Sequence, residues 1–313
     1  MFKSKVRRLQ DEILKIKERE NVLLLAHNYQ VPEIQEVADY VGDSLELARI
    51  AQKNTDADLI VFSAVDFMAE TAAILNPDRE VYVPDPTARC PMALMCPREV
   101  VAEAKRMHDG VPVVLYVNTL AEAKAEADVI CTSANAPMIV EGAGAEQVLF
   151  GPDKNLGFYV EKITGVKVIP VPENGYCYVH VMFKPQHIAE MRRRYPDAVV
   201  MVHPECTLEV QDAADFVGST SQMYKYARES EHKKFIVATE IGLVERMRRE
   251  IEGKTFIPAL SNAVCKNMKK NTLEKIKHVL LEKPRENLVK VPGDVADMAR
   301  KSIERMFELS ERR

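Results

Sequence analysis

VADYVGDS (residues 37–44), EADVICTS (126–133) and AADFVGST (213–220) are one phrase written three times. Each sets an aspartate after an alanine, at Asp39, Asp128 and Asp215, with a hydroxyl residue five positions on, at Ser44, Ser133 and Thr220. The aspartates stand 89 and 87 residues apart. Cys90, Cys177 and Cys265 keep nearly the same step, 87 and 88 residues, and follow the prolines of VYVP, VIPV and FIPA by six or seven positions. One period shared by several landmarks signals three copies of a single supersecondary unit.

Around these phrases, short β-rich runs alternate with helical patterns. The runs are NVLLLAH (21–27), ADLIVFSAV (57–65) and REVYVP (79–84); then VPVVLYVN (111–118), EQVLFG (146–151) and VKVIPVP (166–172); then DAVVMVHPE (197–205), KKFIVATE (233–240) and KTFIPAL (254–260). Such alternation predicts an α/β protein with parallel sheets. The repeat divides it into three similar three-layer αβα units: 1–109 with an N-terminal helix, 110–196, and 197–313. A C-terminal helix (291–309) is expected to return to the first unit. Packed about a pseudo-threefold axis, the units bring equivalent strand ends to one point, and ligands bind outside the carboxyl ends of parallel strands.

The 313 residues are 47% hydrophobic and 29% charged, with a net charge of -4, so the chain is globular and gives no electrostatic reason to bind nucleic acid. MRRRYP (191–196) reads as a solvated helix face. No apolar run is long enough to cross a bilayer, and MFKSKVRRLQDEILKIKERE reads as an amphipathic helix rather than a secretion signal, so a cytoplasmic protein is expected. In that reducing compartment the six cysteines (90, 96, 131, 177, 206 and 265) are not expected to form structural disulfides, and no CxxC occurs.

Only Cys90, Cys177 and Cys265 share the period; Cys96, Cys131 and Cys206 have no counterparts. A cysteine by itself is often a small buried apolar side chain. Three at equivalent strand ends fit zinc, copper(I) or an iron–sulfur cluster, and a structural zinc would need a fourth ligand. First strands of the units end in polar residues: His27 and Tyr29, Tyr116 and Asn118, His203 and Glu205. Ser44, Ser133 and Thr220 stand at helix starts, where they are expected to cap and, facing a common centre, to bind an anion such as phosphate.

Taken together, AHNYQ, GDSLELA, FMAETAAILNP, YVN with TSANA, FGPDKNLG, HPEC, DFVGST, VATE and the spaced cysteines resemble the quinolinate synthase family along nearly the whole chain. The resemblance implies condensation of iminoaspartate with dihydroxyacetone phosphate, releasing phosphate and two waters. It also implies a [4Fe–4S] cluster on Cys90, Cys177 and Cys265 with one iron open to substrate, and a functional link to an enzyme that makes iminoaspartate. By motif, His27, Ser44, Tyr116, Asn118, Ser133, His203, Glu205 and Thr220 are expected to contact substrate. Glu205 is the expected acid–base group, with Tyr29 and His180 beside it. Glu70, Lys154 and Glu240 match motifs without an assigned role. Two departures stand out: Asn28, where the family more often has tyrosine, and Lys266-Asn267-Met268 after Cys265, which removes a CxxC redox switch found in some members.

Overall fold

The computed structural model describes residues 2–54 and 56–311. It contains three sheets of four parallel strands. The first is β1 (Val22–His27), β2 (Tyr40–Gly42), β3 (Leu59–Ser63) and β4 (Glu80–Tyr82). The second is β5 (Val113–Tyr116), β6 (Val129–Cys131), β7 (Gln147–Gly151) and β8 (Lys167–Pro170). The third is β9 (Val199–Val202), β10 (Phe216–Val217), β11 (Lys234–Ala238) and β12 (Thr255–Pro258). The orders β2-β1-β3-β4, β6-β5-β7-β8 and β10-β9-β11-β12 are one topology three times, with helices between the strands. The three similar αβα units read from the repeat are therefore present.

Sequence reading found nine of the twelve strands. The three it missed, β2, β6 and β10, lie inside the repeated phrases themselves. They are two or three residues long and sit at sheet edges, too short for any hydrophobic alternation to register.

The aspartate of each phrase explains why such short strands hold. Asp39 accepts the Leu24 amide on its carboxylate at 2.8 Å and donates its own amide to the Leu24 carbonyl at 2.8 Å. Asp128 does the same to Val113 (2.7 and 3.0 Å), and Asp215 to Val200 (2.8 and 2.9 Å). A strand amide that the edge would leave orphaned is thereby satisfied, and the register of the edge strand is fixed.

By compactness the chain forms two units: residues to Cys90 with Cys265–Asp297, and Pro91–Val264 with the residues from Met298 on. The first holds the first sheet, its core built from Leu24, Val61 and Ile34 with Ile13 of the helix Phe2–Arg19 and Ile276 and Val279 of the helix Leu273–Glu282. The second holds the other two sheets. There the part of the last helix (Gly293–Glu311) from Met298 on is tied down by Ser302, whose hydroxyl donates to the Lys124 carbonyl at 2.9 Å, and by Ser310, which accepts from Asn135 at 3.0 Å. Among the described residues, no helix is long and apolar enough to cross a membrane.

Candidate active site

In each sheet the order reverses direction beside the first strand, the place where parallel sheets open a crevice at their carboxyl ends. His27 ends β1, Tyr116 ends β5, and His203 follows β9 directly. The chain then turns tightly. In the first loop the Tyr29 amide donates to His27 Nδ1 at 3.1 Å, and in the third the Glu205 amide donates to His203 Nδ1 at 3.3 Å. An imidazole nitrogen that accepts a hydrogen bond carries no proton, so the neutral ring holds its proton on Nε2.

In the second compact unit these loops build one buried group. Glu205, 4% exposed, accepts from the Tyr116 hydroxyl on Oε1 at 2.6 Å and pairs through Oε2 with His180 Nδ1 at 2.7 Å. His180 Nε2 lies 2.9 Å from the Thr239 hydroxyl, and its ring stacks on His203 with centroids 4.4 Å apart. Asn155 donates to the Glu205 carbonyl at 3.2 Å. Burial works against a charge on Glu205, but the imidazole of His180 and the bonds from His180 and Tyr116 outweigh it. The carboxyl is held well below the usual carboxylate range. Asp153, fully buried nearby, goes the other way: burial and the Glu205 carboxylate push it up, against the backbone amides it accepts.

Cys177 joins this group, for its sulfur and the ligand atoms of His180 and Glu205 lie within 4.8 Å of one another. The six cysteines fall into two classes. Cys90, Cys177 and Cys265 are half-buried, whereas Cys96, Cys131 and Cys206 are fully buried. Burial pushes the Cys96 thiol up to about 12 and raises Cys131 and Cys206 as well. Those three stay protonated, and two donate weakly to carbonyls, Cys96 to Val171 at 3.4 Å and Cys206 to Ala238 at 3.8 Å. A metal takes the thiolate, so the half-buried set is the chemically suited one.

Acidic residues hold the half-buried set's loops in place. The amide of Cys90 donates to Asp66 and that of Cys177 to Asp153, each at 3.0 Å. Asp153 also caps the helix Lys154–Thr164. Glu240, 87 residues after Asp153, caps the helix Ile241–Glu250 through the Gly242 amide at 2.7 Å. Sequence reading passed over Asp66 and Asp153, as it did Thr239 and Asn155. Their signal was available for the two aspartates, since positions 66, 153 and 240 keep the period of the cysteines.

The hydroxyl residues are not the helix caps expected of them. Asp43 caps the helix Ser44–Lys53 in a capping box with Glu46, and Ser219 caps Thr220–Glu229 in one with Gln222. Ser44 and Thr220 are therefore first-turn residues. In the second repeat the cap position is Asn135, whose side chain instead accepts from Thr132. Ser133 lines a pocket of about 380 Å³ with Pro137, Tyr159, Phe216, Gln222 and Tyr226, none of which belongs to the Glu205 group. Asn118 is half-buried, and its side-chain oxygen has no partner among the described residues. His27, Tyr29, Ser44, Cys90 and Cys265 belong to the first compact unit, where the Tyr29 ring meets His27 edge-on at 4.6 Å and its carbonyl accepts from Lys269.

A buried carboxylate, two imidazoles, a phenol and a half-buried thiol gathered at the mouths of parallel sheets mark the candidate site of an α/β enzyme, with Cys177, His180 and Glu205 close enough to hold a metal together. The model of the quinolinate synthetase A protein family matches residues 11–308, and the chain belongs to that family. It is 52% identical over 300 residues to the quinolinate synthase of Pyrococcus abyssi, covering 96% of this chain and 99% of that protein. Against the quinolinate synthases of Thermotoga maritima and Methanothermobacter thermautotrophicus the identities are 50% over 299 residues and 49% over 303, covering 96% and 97% of this chain and 99% of each relative.

Proposed function

We propose that the chain is a quinolinate synthase that condenses iminoaspartate with dihydroxyacetone phosphate, a transferase reaction that releases phosphate and water. We assign Cys90, Cys177 and Cys265 as the ligands of a [4Fe–4S] cluster. The observation that carries the reading is the thiol of Cys177 beside the His180–Glu205 pair. A lone metal held by Cys177, His180 and Glu205 is disfavoured by the same geometry. The carboxylate and imidazole already spend their facing atoms on each other at 2.7 Å, and a metal would have to break that bond. The half-buried state of all three repeated cysteines suits a cluster instead. When bound, it supplies a Lewis-acidic iron with an open position.

The residues then divide the work. His203 and Tyr116, with Asn118, meet the carboxylates and imine of the nitrogen substrate, and the unpartnered oxygen of Asn118 suits an N–H donor. His27 offers its Nε2 proton in the same manner as His203. Ser44, Ser133 and Thr220 take the phosphate. Glu205, held as an anion, keeps Tyr116 and His180 oriented and stabilises positive charge on His180 as protons move during enolisation and dehydration. Tyr29 is the further proton carrier. Iminoaspartate is unstable, so an enzyme that generates it is the functional partner.

Anaerobic incubation with both substrates, iminoaspartate being generated in situ, tests this. Quinolinate should form in step with iron and sulfide content. Stoichiometric zinc without sulfide would favour the mononuclear site, and a fully loaded cluster with no quinolinate would overturn the activity.

A further inference from the structure

Each repeat carries a second equivalence that sets the aim of the site residues. After each first strand comes a short helix: Pro32–Gln35, Ala121–Lys124 and Leu208–Asp212. From it one buried side chain reaches back to the preceding loop. Gln35 donates through Nε2 to the carbonyls of Asn28 and Gln30, both at 3.0 Å. Gln211 donates to the carbonyls of Pro204 and Cys206, at 2.8 and 2.7 Å. Lys124 donates through Nζ to the Thr119 carbonyl. Positions 35, 124 and 211 are separated by the same 89 and 87 residues as the aspartates, and so are the carbonyls of 30, 119 and 206.

Between the two carbonyls held in the first and third loops stand Tyr29 and Glu205; Asn118 has their place in the second. Fixing the peptide planes that bracket a residue fixes the direction in which its side chain leaves. We infer that Gln35, Lys124 and Gln211 are positioning residues, one per repeat, which clamp the loops bearing 27 and 29, 116 and 118, and 203 and 205. In the second repeat an ammonium holds the Thr119 carbonyl, at the position where the other two use a carboxamide on the carbonyls of Gln30 and Cys206. Lys124 is 0% exposed, which is costly for an ammonium in any merely space-filling role. In its loop the Thr119 hydroxyl donates to the Tyr116 carbonyl at 3.2 Å, carrying the constraint back to the Glu205 partner.

The catalytic consequence rests on the proposed function, whereas the clamp does not, so the test reads both. Hydrogen–deuterium exchange of the amides of residues 117–120 is compared in the wild type, Lys124→Met and Lys124→Gln, together with kcat, KM and the thermal midpoint. Lys124→Met should speed exchange there and lower kcat, each about tenfold, the effect of losing one charge-assisted bond. Its thermal midpoint should barely move, because removing a buried charge offsets the lost bond. Lys124→Gln, the residue the other repeats use, should restore exchange and kcat to within about threefold. Wild-type exchange in Lys124→Met, or a Gln variant no better than Met, overturns the clamp. Changed exchange with unchanged kcat overturns the positioning role. Should Lys124→Met not fold, Gln211→Met read at residues 204–207 puts the same question.

Discussion

In the loop after β1 the Tyr29 amide donates to His27 Nδ1, and in the loop after β9 the Glu205 amide donates to His203 Nδ1. A glutamine from the next short helix holds each loop by two carbonyls, and an aspartate four residues further pins the strand behind it. The backbones are the same device, yet one presents a phenol and the other a carboxylate. The Glu205 carboxylate then recruits Tyr116 and His180, because an anion removed from water must find donors. His180 has no chemical counterpart in the other repeats, whose equivalent positions are Ala93 and Met268. The repeated fold thus supplies geometry three times, and single substitutions at fixed positions make the chemistry asymmetric.

The largest test of this comparison concerns what the repeats share. Cys90→Ala, Cys177→Ala and Cys265→Ala should each abolish bound iron and sulfide, measured anaerobically, while Cys96→Ala keeps them, its thiol being buried and protonated. Iron retained in Cys90→Ala but lost in Cys96→Ala would break the repeat argument at its root.

Next comes what the repeats do not share. Glu205→Gln should leave the cluster assembled and lower turnover by at least about a hundredfold. Tyr29→Phe, at the equivalent place in the first loop, should cost less, about tenfold. Equal losses would mean that the two loops contribute alike after all.

The charge on Glu205 also has a signature in pH. A carboxyl whose folded pKa lies below its unfolded value stabilises the fold above the unfolded value, about 4.3 for glutamate. The stability advantage of the wild type over Glu205→Gln should therefore be flat near neutral pH. It should begin to shrink as pH drops through the ordinary carboxylate range and vanish below the depressed value. Denaturant melts across that range measure it, and an advantage that grows on acidification would contradict an ionised Glu205.

The smallest effect separates two adjacent residues at one helix start. Ser219→Ala removes the cap of Thr220–Glu229 and should cost about 1 kcal/mol of stability with substrate affinity intact. Thr220→Ala should instead raise KM for dihydroxyacetone phosphate about tenfold, as for a lost hydrogen bond to a charged group. An unchanged KM would remove Thr220 from the phosphate set.

The sequence by itself determined the three-unit α/β plan and set Cys90, Cys177 and Cys265 apart as the cysteines that share its period, because a repeat imprints its period on the residues its backbone requires. Asp39, Asp128 and Asp215 were legible for that reason, although their task, satisfying the amides of Leu24, Val113 and Val200, was not. Tyr116, His203 and Glu205 were legible as polar residues ending apolar strands. Tertiary structure alone decided that Glu205 spends both oxygens on Tyr116 and His180, residues 89 and 25 positions away in the chain. It alone placed Asp153 and Thr239 beside them, and moved the helix caps from Ser44 and Thr220 to Asp43 and Ser219. Periodicity records what each unit needs for its own backbone. Burial, and the hydrogen bonds that burial makes obligatory, depend on which side chains meet across the fold, and that is written in no local pattern.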